Sequence, residues 1–213
     1  MPAPSVSGTE VPAMQAMLQV RIHGRGGQGV VTAAEVLSMA AFAEGRHAQA
    51  FPSFGSERTG APVVAFCRIA HTPIRTREPV MNPDVLVVLD ATLLHQVDLF
   101  SGLRPDGAVL INTSRSLDEL GILELAREHS EGRFVTVPAT DIAVERLGRP
   151  VPNVVMLGGL AAITGNISID ALASAIRERF SSEMAERNVA AASDAYHLVE
   201  SSSRQEVLRV APD

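Results

Sequence analysis

Apolar and polar positions change period several times along the chain, and each change marks an element. Leu18, Val20 and Ile22 interleave with Gln19 and Arg21, which predicts a short strand over Leu18–His23. From Val30 the period lengthens. Val30, Ala33, Ala34, Leu37 and Ala41 recur on one face and predict a helix over Val30–Glu44, with Gly45 placed to stop it. Further strands are expected at Ala48–Phe51, Val63–Ile69, Val85–Asp90, Ala108–Asn112 and Arg133–Pro138. The Val-Leu-Val-Val-Leu run before Asp90 reads as a strand buried on both faces. Helical patterns fall at Ala91–Phe100, Asp141–Leu147, Asn153–Thr164, Ser168–Phe180 and Glu183–Glu200. Ser116 and Glu119 have the spacing of a helix capping box.

Strands alternating with helices predict an α/β fold: a single Rossmann-like domain with a mainly parallel twisted sheet flanked by helices. The pattern divides the chain into a small, polar, proline-containing arm over residues 1–17, a domain over 18–200, and a tail over 201–213 expected to be mobile. No internal repeat or linker splits the domain.

Composition narrows the chemistry. The 213 residues carry a net charge of −6, which does not favour nucleic acid or an anionic membrane. There is no lysine, so a Schiff base and a lysine phosphate anchor are both out of reach. A single cysteine, Cys67, cannot build a disulfide framework or a four-cysteine cluster, and it reads as an inert strand residue. The six histidines are scattered without metal-ligand spacing. No window reaches the ~18 apolar residues of a membrane span, and the first residues, lacking a basic region and a long apolar core, are not expected to act as a signal peptide. A cytoplasmic protein is expected.

Between the first strand and helix lies Gly24-Arg25-Gly26-Gly27-Gln28-Gly29. Such a loop brings backbone N–H groups and a helix N-terminus to one point, a combination suited to an anion such as phosphate. The acid expected at the end of the second strand of a dinucleotide site is missing, since positions 47–51 read His-Ala-Gln-Ala-Phe. A P-loop is excluded by the absence of Gly-Lys-[Ser/Thr]. The loop is also compatible with a purely packing role.

A second informative stretch is Phe51-Pro52-Ser53-Phe54-Gly55-Ser56-Glu57-Arg58-Thr59-Gly60-Ala61-Pro62. Together with the glycine loop it resembles the γ subunit of 2-oxoacid:ferredoxin (acceptor) oxidoreductases, of which pyruvate synthase is the best-known type. Asn82-Pro83-Asp84, Pro152-Asn153, Leu157-Gly158-Gly159 and Ala185-Glu186-Arg187-Asn188 fit the same family, so the resemblance spans about Val20 to Val199.

The resemblance implies a subunit of an enzyme that converts a 2-oxoacid and coenzyme A to an acyl-CoA and CO2. The 2-oxoacid is pyruvate or an aryl glyoxylate such as phenylglyoxylate. Thiamine diphosphate with Mg²⁺ and [4Fe–4S] clusters belong to partner subunits. The implied partners are thiamine-diphosphate-binding α and β subunits, a ferredoxin-like iron–sulfur subunit and, where NAD is the acceptor, an NAD/flavin subunit. In this chain it implies that Gly24, Gly26, Gly27 and Gly29 form a backbone cradle near a coenzyme A phosphate. Arg25 either adds charge there or is a solvated loop residue, and Gln28 either donates to the ligand or caps the loop. Ser56, Glu57 and Arg58 are placed at the subunit interface facing the active-site cleft. Arg58 is the stronger candidate for direct contact, because a guanidinium holds carboxylate or phosphate bidentately. Asn153 is a ligand contact or a plain helix cap, and Asp90 is expected to cap the helix that follows it. The competing readings are a scaffold subunit that touches no ligand and a stand-alone nucleotide-binding regulator.

Overall fold

A computed structural model describes residues 17–53, 60–129 and 133–210. Ser56, Glu57 and Arg58, and the arm before residue 17, lie outside the described residues. The strands are β1 (Leu18–Arg25), β2 (His47–Pro52), β3 (Pro62–Ala70), β4 (Val85–Val88), β5 (Ala108–Asn112) and β6 (Arg133–Val137). The helices are α1 (Val30–Ala43), α2 (Leu123–Glu128), α3 (Ala139–Leu147), α4 (Asn153–Thr164), α5 (Ile169–Arg179) and α6 (Ser182–Val210).

The strands form one six-stranded sheet in the order β2-β3-β1-β4-β5-β6. β1, β4, β5 and β6 run parallel, with Ile22 opposite Val87 and Val87 opposite Leu110. β3 alone runs against its neighbours, pairing antiparallel with both β1 and β2. The mainly parallel sheet is therefore present, with a hairpin set into it. β1 crosses through α1 to β2, and the chain then doubles back to lay β3 in the gap.

One face of the sheet is covered by α1, α4, α5 and α6. Val20, Ile22, Val85, Val87, Leu89 and Leu110 point into that layer and meet Leu37, Met156, Leu157, Leu160 and Ile176. The opposite face is apolar over β4 and β5, where Leu86, Val88, Val109 and Ile111 pack on Leu93, Leu99, Leu103 and Leu120. Full burial of each such side chain is worth ~1.5–3 kcal/mol. Over β1 and β3 the same face changes character. Arg21, His23 and Arg68 are buried there, and Arg21 uses its guanidinium to hold the carbonyls of Leu99 (2.7 Å) and Ser101 (2.8 Å).

Three elements depart from the sequence pattern. The helix expected over Ala91–Phe100 is a 3-10 turn at Ala91–His95. The chain leaves helical form beyond it because the Leu99 and Ser101 carbonyls turn to Arg21 and the Asp98 carboxylate takes the Ser101 N–H. The Ser116/Glu119 capping box does form, with Ser116 N donating to Glu119 Oε2 at 2.8 Å, but it closes a turn that ends at Gly121, and α2 starts only at Leu123. The last helix runs to Val210, past Glu200.

Candidate anion-binding site

β1 and β4 lie side by side and parallel, and their connections leave in opposite directions, β1 toward β2 and β4 toward β5. The carboxyl ends of such a strand pair open a crevice that helices do not fill. The glycine loop follows β1 at that point, and Asp90 follows β4.

The loop is a tight turn closed on itself. Gln28 N–H donates to the Arg25 carbonyl at 3.0 Å, and Arg25 N–H donates to the Gln28 side-chain oxygen at 2.7 Å. Gly27 (φ +96) and Gly29 (φ +76) are in the left-handed region, which costs a side-chain-bearing residue roughly 1–2 kcal/mol. Gly29 occupies the N-cap position of α1 and provides no side-chain cap, so the first-turn N–H groups of α1 are left to other partners. A depression of about 260 Å³ opens over this end, lined by the loop, by Val30, Val31 and Thr32 of α1, and by Val63. The helix dipole adds partial positive charge there.

The glycines do different jobs. A Cβ on Gly27 would meet nothing within 4 Å, so this position faces open space. A Cβ on Gly24 would lie 2.7 Å from Val30 Cγ2, and one on Gly29 would lie 2.2 Å from Asn153 Nδ2. Gly24 and Gly29 are therefore packing positions. Gly26 bridges to the other motif: its N–H donates to the Ala61 carbonyl (2.9 Å) and its carbonyl accepts from Gly60 N–H (3.1 Å).

The side chains of the loop turn inward. Arg25 donates to Asp90 Oδ2 (3.1 Å), the Gly60 carbonyl (3.1 Å), Thr92 Oγ1 (2.8 Å) and Gln96 Oε1 (2.8 Å), so it is not a solvated loop arginine, and it also borders the depression. Gln28 Nε2 donates to Asp90 Oδ2 at 3.0 Å, which makes Gln28 a loop cap. Asp90 does cap the next turn, accepting from Thr92 N–H at 3.0 Å. Burial raises its pKa, but hydrogen bonds from Thr92 and Gln28 and the charge of Arg25 outweigh burial and hold the carboxyl below its ordinary value. Asn153 is the first residue of α4, not its cap. It is buried, and its Nδ2 donates to the Gly29 carbonyl at 3.3 Å.

Two residues near the loop were not marked by the sequence. Thr32 lines the depression from the first turn of α1, and only its place after the loop could have marked it. His23 lies two residues before the loop, buried, with Nε2 lacking a hydrogen-bond partner among the described residues. Burial, helped by Arg21, pushes its pKa down to about 4. Cys67 is fully buried and its thiol is pushed up to about 12, as suits an inert core residue. Among the described residues no group of His, Cys, Asp and Glu is placed to hold a metal ion, and no helix is long and apolar enough to cross a membrane.

These features define an α/β domain with a glycine loop at its switch point. The pyruvate ferredoxin/flavodoxin oxidoreductase family matches residues 19–198, and the chain belongs to that family as a γ-type subunit. It is 52% identical over 180 residues to pyruvate synthase subunit PorC of Methanothermobacter marburgensis, covering 84% of this chain and 96% of the relative. It is 48% identical over 184 residues to the pyruvate/ketoisovalerate oxidoreductases common subunit gamma of Pyrococcus furiosus, covering 86% and 98%. The crystal structure of pyruvate oxidoreductase subunit PORC from Thermotoga maritima superimposes with a TM-score of 0.72 at 37% identity, covering 85% of this chain and 96% of that one.

Proposed function

We propose that the chain is the γ subunit of a coenzyme A-acylating pyruvate:ferredoxin oxidoreductase and that the depression at the start of α1 is its wall of the coenzyme A site. The observation that carries this reading is the uncapped first turn of α1 beside Gly27, whose missing side chain leaves the approach open. Coenzyme A offers phosphate groups, and backbone N–H groups at a helix N-terminus are suited to them. Gly27, Val30, Val31 and Thr32 would hold the phosphate, and Arg25 and Gln28 would shape the loop from behind. Thiamine diphosphate, Mg²⁺ and the iron–sulfur clusters are assigned to the partner subunits, where the carbanion and electron-transfer chemistry takes place. The names of the relatives favour pyruvate as substrate. A γ subunit named as common to a pyruvate and a ketoisovalerate enzyme supports a division in which other subunits select the 2-oxoacid, so an aryl glyoxylate fits the same γ architecture.

The test is the assembled complex with Gly27→Asp and Gly27→Asn, two residues that tolerate the left-handed region. The expected outcome is a KM for coenzyme A raised about tenfold or more by Gly27→Asp and less by Gly27→Asn, with assembly intact. An unchanged KM in both variants overturns the reading. It would leave the scaffold role that the packing of Gly24 and Gly29 also serves.

A further inference from the structure

Asp90 serves two sets of donors with its two oxygens. Oδ1 accepts from Thr92 N–H (3.0 Å) and Thr92 Oγ1 (2.6 Å), and Oδ2 accepts from Arg25 Nε (3.1 Å) and Gln28 Nε2 (3.0 Å). Every partner on both oxygens donates, so only an ionised carboxylate satisfies them all. An amide would have to present its NH2 to Thr92 N–H or to the Arg25 and Gln28 donors. Gln28 is fixed at both ends as a result, because its Nε2 meets Asp90 and its Oε1 must then accept from Arg25 N–H at 2.7 Å. That second bond sets the turn that carries Gly26 and Gly27. The backbone behind Asp90 is itself anchored: Asn112 Nδ2 donates to the Leu89 carbonyl (2.8 Å) and to Thr140 Oγ1 (2.8 Å).

We infer that Asp90 is a positioning residue for the ligand-facing glycine loop, acting through Gln28 and Arg25 without touching the ligand. The inference rests on the coenzyme A reading of the loop. It adds that a carboxylate from the end of β4 determines whether the Gly27 turn is held ready for an anion. Charge-assisted hydrogen bonds of this kind are the strong ones in a network, and loss of one costs about tenfold or more in an equilibrium it controls.

The assembled complex with Asp90→Asn tests it. Asparagine is as good a helix cap as aspartate, so the turn at Thr92 is kept while the Arg25 and Gln28 donors lose their acceptor. The expected result is a KM for coenzyme A raised about tenfold, with kcat at saturating coenzyme A and the KM for the 2-oxoacid within about twofold of the parent. Gln28→Glu alone should also raise the KM, because two carboxylates then face each other. The double variant Asp90→Asn with Gln28→Glu reverses the direction of the bond and should recover most of the loss. A structural role alone would not be rescued by this exchange. Wild-type KM in Asp90→Asn, or a double variant no better than the singles, overturns the inference. If Gly27→Asp raises the KM and Asp90→Asn does not, the site reading stands and only the positioning role fails. If neither moves it, both fall.

Discussion

Arg25 Nε meets Asp90 Oδ2 at 3.1 Å, and the pair joins the end of β1 to the end of β4 across 65 residues of chain. The rest of the guanidinium reaches the Gly60 carbonyl, Thr92 and Gln96, so one side chain ties the glycine loop to two other segments. Arg25→Lys keeps the charge but loses the planar fork, and it should recover less than half of what Arg25→Ala loses. We expect Arg25→Ala to lower the stability of the full chain by ~1–3 kcal/mol, read as a shift in the urea midpoint. A midpoint for Arg25→Lys equal to that of the parent would show that the fork geometry is immaterial.

His23 makes stability depend on pH. Its folded value of about 4 lies below its ordinary value of 6.5, so the unfolded chain binds the proton more readily between these limits. Stability from this residue is fully present above about pH 6.5 and is lost as pH falls toward 4, by ~3 kcal/mol in total. Urea unfolding of the parent and of His23→Phe at several pH values checks this. The variant should have a flatter profile over that window, and parallel profiles would show that His23 is not the group responsible.

Two adjacent glycines of α4 should respond differently to alanine. A Cβ on Gly158 would fall 1.9 Å from the Ala192 carbonyl oxygen of α6, where backbone meets backbone. A Cβ on Gly159 would fall 2.9 Å from Leu110 Cδ2, the end of a side chain that can move. Gly158→Ala should cost about 3 kcal/mol or prevent folding. Gly159→Ala should cost less than about 1 kcal/mol, since alanine gains back helix propensity. Thermal unfolding of the two variants decides it, and a similar loss in both would contradict the close approach of α4 and α6.

Removing the hydroxyl and methyl of Thr32 should act on the ligand only. Thr32→Ala leaves the backbone N–H groups of the first turn in place and removes one wall of the depression. A rise of a few fold in the KM for coenzyme A is expected, with no change in the melting temperature of the complex; a lowered melting temperature would assign Thr32 a structural role.

Much of this was readable from local pattern. The alternation at Leu18–Ile22, the glycine loop and the 3.6-residue period of α1 are neighbours in sequence, and the structure keeps them in that order. Direction was harder to read. The apolar run of β3 reads identically in either sense, so nothing in Val63–Ile69 announced that this strand opposes β1. The site was half legible for the same reason. The glycines marked the loop, but the acceptor that fixes Gln28 comes from a distant strand end, and Asp90 seemed fully explained by its own cap. The protein partners of Arg25 and Asn153, the Gly60 and Gly29 carbonyls among them, could not be read because they are set by tertiary approach.

The hairpin that flanks β1 on the side away from β4 has a consequence for how the chain folds. β1 is the first strand in the chain, yet its two partners in the sheet are β3 and β4; of the pairings between consecutive strands only β2–β3 is an antiparallel hairpin, while β4–β5 and β5–β6 are parallel and need crossovers. Hairpin formation is a microsecond event, whereas pairings between distant segments wait for loop closure. The central strand therefore remains unpaired during synthesis until the hairpin is complete, and the glycine loop gains its shape only when residue 90 has emerged to close it.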